Sequence, residues 1–283
     1  MAVLADTLKA NAARLAAALG LDAREARLEA QILAAQALAV GRAWLIAHDR
    51  DVLTPAQAGA VEALLVRRER GEPVAYILGE REFYGRVFKV TPDVLIPRPD
   101  TELLVETALR HLPPDRPATI LDLGTGSGCI AITLALERPD CEVWAVDSSA
   151  AALAIAEANA RRLGAHNVRF LCGDWCEPLH DEIFDLIVSN PPYIDAGAPH
   201  LAVGDLPHEP LAALTPGDDG LSAIRRILAQ ARPHLRRGGL LMFEHGYDQG
   251  PACLELFRQS GYRPIATLRD LAGHERVGIG KLD

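Results

Sequence analysis

Ala118-Thr119-Ile120-Leu121-Asp122-Leu123 runs without a break into Gly124-Thr125-Gly126-Ser127-Gly128. The first six residues are mostly apolar and partly β-branched, as in a buried strand, and residues from about 128 to 137 have the length and apolar content of a helix. Outward from this stretch the same alternation repeats. EVWAVD (142–147), VRFLC (168–172), FDLIVS (184–189) and LLMFEH (240–245) read as strands, with helical stretches at about 149–163, 219–235 and 250–260. Near-continuous apolar strands joined by helices predict an α/β fold with a parallel sheet covered on both faces. PIATL (264–268) and RVGIGKL (276–282) are separated by only seven residues. That is too short for a helical crossover, so this last pair is expected to be antiparallel. The sheet is then Rossmann-like and seven-stranded, mostly parallel with one antiparallel strand.

Ahead of the sheet the texture is helical. Leu4, Leu8, Ala12, Leu15 and Leu19 recur at three- and four-residue steps. Asp22 with Glu25 has the pattern of a capping box for a second helix presenting Leu28, Ile32 and Ala35. Thr54-Pro55 with Gln57 starts another, with Ala58, Val61, Leu64 and Leu65 on its apolar side and Gly71 as its stop. From 71 to 100, glycines and prolines forbid a long helix. Glu82-Phe83-Tyr84 and Val87-Phe88-Lys89-Val90 flank Gly85 as a hairpin, and the Ile96-Pro97-Arg98-Pro99-Asp100 turn leads into a helix holding Leu103, Leu104 and Ala108. The expected organisation is a small helical bundle at 1–75, a linker with a β-hairpin at 76–100, and the α/β domain at 101–283.

Composition narrows the classes. With 49% hydrophobic and 24% charged residues, the chain is an ordinary globular one. No run approaches the ~18 apolar residues of a membrane span. The start, MAVLADTLKANAARL, has no basic segment ahead of an apolar core, so it does not read as a secretory signal. A soluble, cytoplasmic protein is expected. The net charge is -9; residues 1–75 hold nine basic and nine acidic side chains, so the whole deficit falls in 76–283. Proteins that grip nucleic acid usually present a positive face, so direct nucleic-acid binding is not expected. Five cysteines without a C-x-x-C pair argue for a reducing compartment rather than a disulfide scaffold. Cys172, Cys176 and His180 fall short of the four ligands of a structural zinc site, and no metal is expected.

The glycines after the first strand let the backbone turn sharply and approach a ligand, and the helix beyond them offers free N–H groups. The spacing is G-x-G-x-G rather than the G-x-G-x-x-G of dinucleotide proteins, and a tight structural turn would use the same residues. Asp147 ends the second strand, where an acid can accept from both hydroxyls of a ribose or cap the helix that follows. Trp175, in Cys172-Gly173-Asp174-Trp175 after the third strand, offers a flat ring to an adenine or to the core.

Ser189-Asn190-Pro191-Pro192-Tyr193 follows the fourth strand. Two prolines keep the chain out of a helix after Asn190. The Asn190 side-chain oxygen and the Pro191 carbonyl can then accept the two hydrogens of a planar NH2 group, with Tyr193 against its flat face. A plain proline turn would account for Asn-Pro-Pro alone. Its place at the strand edge beyond a G-x-G-x-G turn favours the functional reading.

This combination resembles the class I S-adenosylmethionine-dependent methyltransferases that act on planar nitrogens. Within them the chain is similar to the peptide chain release factor glutamine N5-methyltransferases. The resemblance spans nearly the whole chain: GEPVAYILGEREFYG (71–85), LIPRPDTE (95–102), ILDLGTGSG (120–128), AVD (145–147), GDW (173–175), SNPPYI (189–194), HEPLAAL (208–214), FEHG (243–246) and HERVGIG (274–280). LIPRPDTE is the most specific of these.

The resemblance implies that Gly124, Thr125, Gly126, Ser127 and Gly128 line the methionine end of S-adenosylmethionine, which leaves as S-adenosyl-L-homocysteine. It further implies that Asp147 holds the ribose and Trp175 borders the adenine. Asn190, Pro191, Pro192 and Tyr193 would hold the substrate glutamine, with Asn190 also near the cofactor and Asn190, Pro191 and Tyr193 serving the chemistry. The implied substrate is the glutamine in the Gly-Gly-Gln loop of class I release factors, and the helical N-terminal region would be the recognition domain.

An amide nitrogen is poorly nucleophilic because its lone pair is delocalised, as the ~18–20 kcal/mol rotation barrier of an amide shows. Acceptors on both N–H bonds raise its electron density and hold it in line with an incoming methyl group. No His or Glu stands out as a base; Glu244 and His245 read as structural neighbours. Three other readings share parts of the pattern. A DNA adenine N6-methyltransferase shares Asn-Pro-Pro-Tyr but wants a basic domain to grip and flip its base. A glutamine N5-methyltransferase of a large-subunit ribosomal protein shares the whole glutamine pocket. A non-catalytic protein would keep only the cofactor fold.

Overall fold

Residues 3–217 and 219–283 are described by the structure, a computed structural model. Their first eighty positions hold α1 (Leu4–Leu19), α2 (Ala23–Leu38), α3 (Arg42–Ala47), α4 (Pro55–Glu69) and α5 (Val74–Leu78). Thr54 and Gln57 complete a reciprocal capping box at the start of α4. Asp22 instead caps α2 by itself, its Oδ1 accepting from the Arg24 and Glu25 N–H groups. Of the expected apolar positions of α2, Ala35 is buried and Ile32 half-buried, but Leu28 is not. Leu28 is exposed, and Ala26, Ala30 and Leu33 are buried beside Leu15 and Leu65. Small alanines let neighbouring helices approach closely, so packing distance outweighs side-chain hydrophobicity in choosing the inner face.

Two compact units emerge. The helical one runs to Glu80 and also takes in Ala202–His208, a segment far along the chain. Arg68 holds that segment. It is buried, its Nε and Nη2 donate to Glu29 and its Nη1 donates to Asp205 at 3.0 Å. A buried guanidinium needs every donor matched, and the Gly71 and Glu72 carbonyls also accept from it.

The second unit starts at Arg81, within β1 (Glu80–Phe83), and continues with β2 (Arg86–Lys89). Tyr84 (φ 52) and Gly85 (φ 72) form the turn. Two positive φ values are what a two-residue turn matched to strand twist requires, so Tyr84 belongs to the turn rather than the strand. Phe83 meets Phe88 edge-on, with centroids 6.1 Å apart.

The remainder alternates: α6 (Glu102–His111), β3 (Thr119–Leu123), α7 (Cys129–Glu137), β4 (Glu142–Asp147), α8 (Ala150–Leu163), β5 (Val168–Cys172) and β6 (Phe184–Ser189). A short α9 (Leu211–Leu214) precedes α10 (Ser222–Ala231), β7 (Leu235–Glu244), α11 (Gly250–Gln259), β8 (Tyr262–Arg269) and β9 (Glu275–Leu282). The sheet order is β5-β4-β3-β6-β7-β9-β8, with β9 antiparallel to both its neighbours. The seven-stranded, mostly parallel sheet is therefore as expected, with helices over two apolar clusters.

Two elements differ in extent from their sequence reading. The helix expected to reach 235 stops at Ala231, because Pro233 permits only a 3-10 turn over Arg232–His234. β7 begins at Leu235 rather than 240, and its Gly238-Gly239 step coincides with a register shift against β6. Gly280 in β9 has a different duty: a Cβ there would lie 2.5 Å from the Phe257 ring, which stacks on Phe243 at 4.7 Å.

Candidate active site

The strand order reverses between β3 and β6, and in a doubly wound sheet a ligand crevice forms outside the carboxyl ends at that point. Register decides what meets there. Leu123 pairs with Ser189, so the glycine turn after β3 and Asn190 after β6 leave the sheet side by side. The Ser189 hydroxyl donates to the Leu123 carbonyl at 2.7 Å. Asp147 pairs with Cys172, which carries Gly173–Trp175 to the neighbouring place on the same edge. A cavity of about 270 Å³ opens over these strand ends.

The glycine turn is tied down from several sides. Gly124, Gly126 and Gly128 all have positive φ. The Gly124 and Thr125 N–H groups donate to the Val146 carbonyl, and the Gly126 N–H donates to Asp147 Oδ2 at 2.8 Å. The Ser127 carbonyl accepts from the Asn159 side chain of α8 at 2.9 Å. Below the turn, Thr125 donates to Asp122 Oδ2 at 2.6 Å, and burial pushes the Asp122 carboxyl up to about 7. A Cβ on Gly124 would stand 3.5 Å from the Trp175 ring. On Gly128 it would stand 2.7 Å from Ile132 and 3.1 Å from Ala156, so this glycine lets α7 and α8 close behind the turn.

Asp147 and Ser149 share the work at the end of β4. Ser149 is the N-cap of α8, its hydroxyl accepting from the Ala152 N–H. Asp147 Oδ1 accepts from the Ser149 N–H at 2.9 Å. Asp147 itself lines the cavity wall. Burial raises its carboxyl above the ordinary range, against the backbone N–H groups that favour the anion. Trp175 takes a left-handed backbone (φ 54) to set its ring on this wall, a conformation that costs a non-glycine residue ~1–3 kcal/mol.

The opposite wall holds a buried polar chain. Asn190 Nδ2 donates to Thr101 Oγ1 at 3.1 Å, and the Thr101 hydroxyl donates to Glu244 Oε2 at 2.7 Å. The Tyr193 hydroxyl donates to Glu244 Oε1 at 2.9 Å. Burial raises the Glu244 carboxyl, and burial beside Glu244 pushes the Tyr193 phenol well above its ordinary value. His245 is buried as well, and its Nδ1 reaches the Gly246 carbonyl at 2.9 Å. A carbonyl only accepts, so Nδ1 carries the hydrogen and Nε2 accepts from the Thr267 hydroxyl at 3.0 Å. Desolvation lowers its pKa, keeping the ring neutral.

Gly124, Thr125, Gly126, Ser127, Asp147, Trp175, Asn190 and Pro192 line the cavity together. Gly128, Pro191 and Tyr193 stand behind that lining: Gly128 at a helix contact, Pro191 buried, and Tyr193 with its hydroxyl on Glu244. Sequence reasoning assigned no role to the segment before α6, although Leu95, Pro97, Arg98 and Thr101 are part of the wall. That segment is LIPRPDTE, and its charged residues anchor it. Arg98 pairs with Glu209, which also accepts from the Ile96 N–H at 2.9 Å; Asp100 pairs with Arg276 at 3.3 Å; Glu102 accepts from the Tyr84 N–H. The proline-flanked charges were the available signal, but the partners of Arg98 and Asp100 lie more than a hundred residues away.

The chain is similar to known proteins. The PrmC N-terminal domain model matches residues 6–79, and the methyltransferase small domain model matches residues 99–218. The release factor glutamine methyltransferase of Bordetella pertussis is 55% identical over 257 residues, covering 90% of this chain and 95% of its own. That of Escherichia coli is 46% identical over 255 residues, covering 90% of this chain and 92% of its own. Among solved structures, the T. thermophilus 16S rRNA N2 G1207 methyltransferase in complex with AdoMet and guanosine matches with a TM-score of 0.54 at 23% identity. The match covers 72% of this chain and 50% of that one. A methyltransferase from Pyrococcus furiosus matches with a TM-score of 0.53 at 19% identity, over 78% of this chain and 96% of its own. At such identities these two structures speak for the fold alone.

Proposed function

This chain belongs to the release factor glutamine methyltransferases, and from that membership we propose that it methylates N5 of the glutamine in the Gly-Gly-Gln loop of class I peptide chain release factors. S-adenosylmethionine, when bound, supplies an electrophilic methyl group and leaves as S-adenosyl-L-homocysteine. The residues fit that cofactor. The positive-φ turn at Gly124 and Gly126 leaves room above the backbone for its methionine end. Asp147 and Trp175 line the same cavity, the acid to accept from the ribose hydroxyls and the ring to border the adenine.

The observation that carries this reading is the placement of Asn190 beside the glycine turn, set by the Leu123–Ser189 pairing. In the proposed reaction, Asn190 Oδ1 and the Pro191 carbonyl accept the two hydrogens of the glutamine NH2. They orient the nitrogen lone pair and stabilise the positive charge that develops on it. His245 takes no proton, since its acceptor nitrogen is occupied by Thr267, and both Glu244 oxygens are already engaged. The proton therefore leaves to water after transfer.

The helical unit would recognise the body of the release factor, and the protein would act in the cytoplasm. Among the described residues no helix is long and apolar enough to cross a membrane. The test is to incubate the purified protein with a release factor and labelled S-adenosylmethionine, then locate the methyl group by mass spectrometry. Label on the Gly-Gly-Gln glutamine is the expected result. Label confined to a ribosomal protein or to DNA in parallel reactions would overturn the assignment.

A further inference from the structure

We propose that Thr101, held by Glu244, decides which end of the Asn190 amide faces the cavity, and that this polarity makes the site accept an amide side chain and reject a carboxylate. The proposal rests on the reading of Asn190 as the group that receives the glutamine. Thr101 is then a positioning residue acting through Asn190.

Glu244 is buried, with one oxygen facing the Tyr193 hydroxyl at 2.9 Å and the other facing the Thr101 hydroxyl at 2.7 Å. A carboxylate only accepts, so both hydroxyl hydrogens point at it. A threonine hydroxyl has one hydrogen. With that hydrogen committed to Glu244, Thr101 turns lone pairs toward Asn190, and the 3.1 Å contact must be a donation from Nδ2. Asn190 lines the cavity, and with Nδ2 turned to Thr101 its Oδ1 is the acceptor end of the amide left for a ligand. Flipping the amide would set Oδ1 against the Thr101 oxygen, acceptor against acceptor, in a place where Thr101 is almost inaccessible to water.

The consequence is selectivity that shape cannot provide. Glutamine and glutamate side chains have nearly the same outline, but an amide NH2 brings hydrogens to Oδ1 whereas a carboxylate brings only lone pairs. A site built around one hydrogen-bond polarity rejects the analogue that lacks it far more strongly than a site built on size. Thr101 lies 89 residues from Asn190 and 143 from Glu244 in the chain, so the device exists only in the fold.

The test uses the full-length protein with a release factor and with the same release factor carrying glutamate at the reactive position, measured as competing ligands. Thr101→Val removes the hydroxyl at nearly constant volume. The preference for the glutamine form should shrink roughly tenfold, the value of one hydrogen bond, and turnover at saturating substrate should fall with it. Thr101→Ser should restore both. A preference unchanged in Thr101→Val, or not restored in Thr101→Ser, overturns the proposal. Should Thr101→Val fail to fold, the wild-type protein labelled with 15N-asparagine serves: the Asn190 NH2 should exchange with solvent more slowly than that of free asparagine, and equal rates overturn the proposal. An Asn190→Ala variant with unimpaired turnover would instead remove the reading of Asn190 beneath it.

Discussion

Asn159 of α8 donates through Nδ2 to the Ser127 carbonyl at 2.9 Å, so the far helix of the β4–α8 unit holds the glycine turn in place. The same fully buried amide donates to the Lys89 carbonyl and accepts from the Lys89 N–H at 2.7 Å, which pins the β-hairpin alongside. Replacing it by leucine would strand the buried Ser127 carbonyl, at a cost of ~1–3 kcal/mol, and release the part-buried Lys89 N–H and carbonyl. Asn159→Leu should therefore lower the urea midpoint substantially and weaken S-adenosylhomocysteine binding in whatever folded fraction remains. A variant with wild-type stability would show that the turn stands without the clamp.

Asp147→Ala should weaken cofactor binding by the loss of one or two charge-assisted hydrogen bonds, each worth ~1.5–3 kcal/mol. Because Asp147 also anchors the Gly126 and Ser149 N–H groups, alanine loosens the turn as well. Asp147→Asn, which keeps one acceptor, should lose less. Isothermal titration with S-adenosylhomocysteine checks the order, and unchanged affinity in folded Asp147→Ala would contradict the ribose assignment.

Asn190→Ala separates chemistry from binding. The chemical step should slow ~10²–10³-fold, by analogy with losing one oxyanion-hole donor, while cofactor affinity falls far less. Single-turnover rates at saturating cofactor and release factor isolate that step. A near-normal rate removes Asn190 from the catalytic role.

Asp122 gives the fold a pH signature. Its carboxyl is raised by burial from 3.8 to about 7, so between those values the native chain holds a proton that the unfolded chain releases. This contribution to stability is fully present below the lower value and is lost as pH rises through the upper one. Asp122→Asn is neutral throughout. Relative to wild type it should gain on the order of 2–4 kcal/mol between pH 4 and pH 8, read from urea unfolding at each pH. A difference independent of pH would show that Asp122 ionises freely in the fold.

The helical unit can be probed without deleting it. Ile46 is 69% exposed and lines a groove with Leu8, Lys9 and Arg27. Ile46→Asp should raise KM for intact release factor severalfold and leave S-adenosylhomocysteine affinity unchanged. Unchanged KM would place substrate recognition elsewhere.

Adjacent residues alone determined much of this protein. A strand opening through glycines onto a helix, an acid ending the next strand and Asn-Pro-Pro after the fourth are each specified within a dozen positions, because dihedral preference, hydrophobic period and capping act locally. The antiparallel final pair also followed from chain length alone, since seven residues cannot carry a crossover. What needed the tertiary structure was every choice made by long-range packing. The alanine face of α2 turned inward in place of Leu28 because a neighbouring helix demanded closeness. Ala202–His208 joined the helical unit, where Asp205 accepts from buried Arg68 across 137 positions of chain. Thr101 and Glu244 lie in LIPRPDTE and FEHG and Asn159 in no motif, and for none of the three does the sequence alone name the partner. Sheet register and helix docking brought their polar atoms together out of water, where an unmatched group is costly and a matched one fixes the geometry of the site.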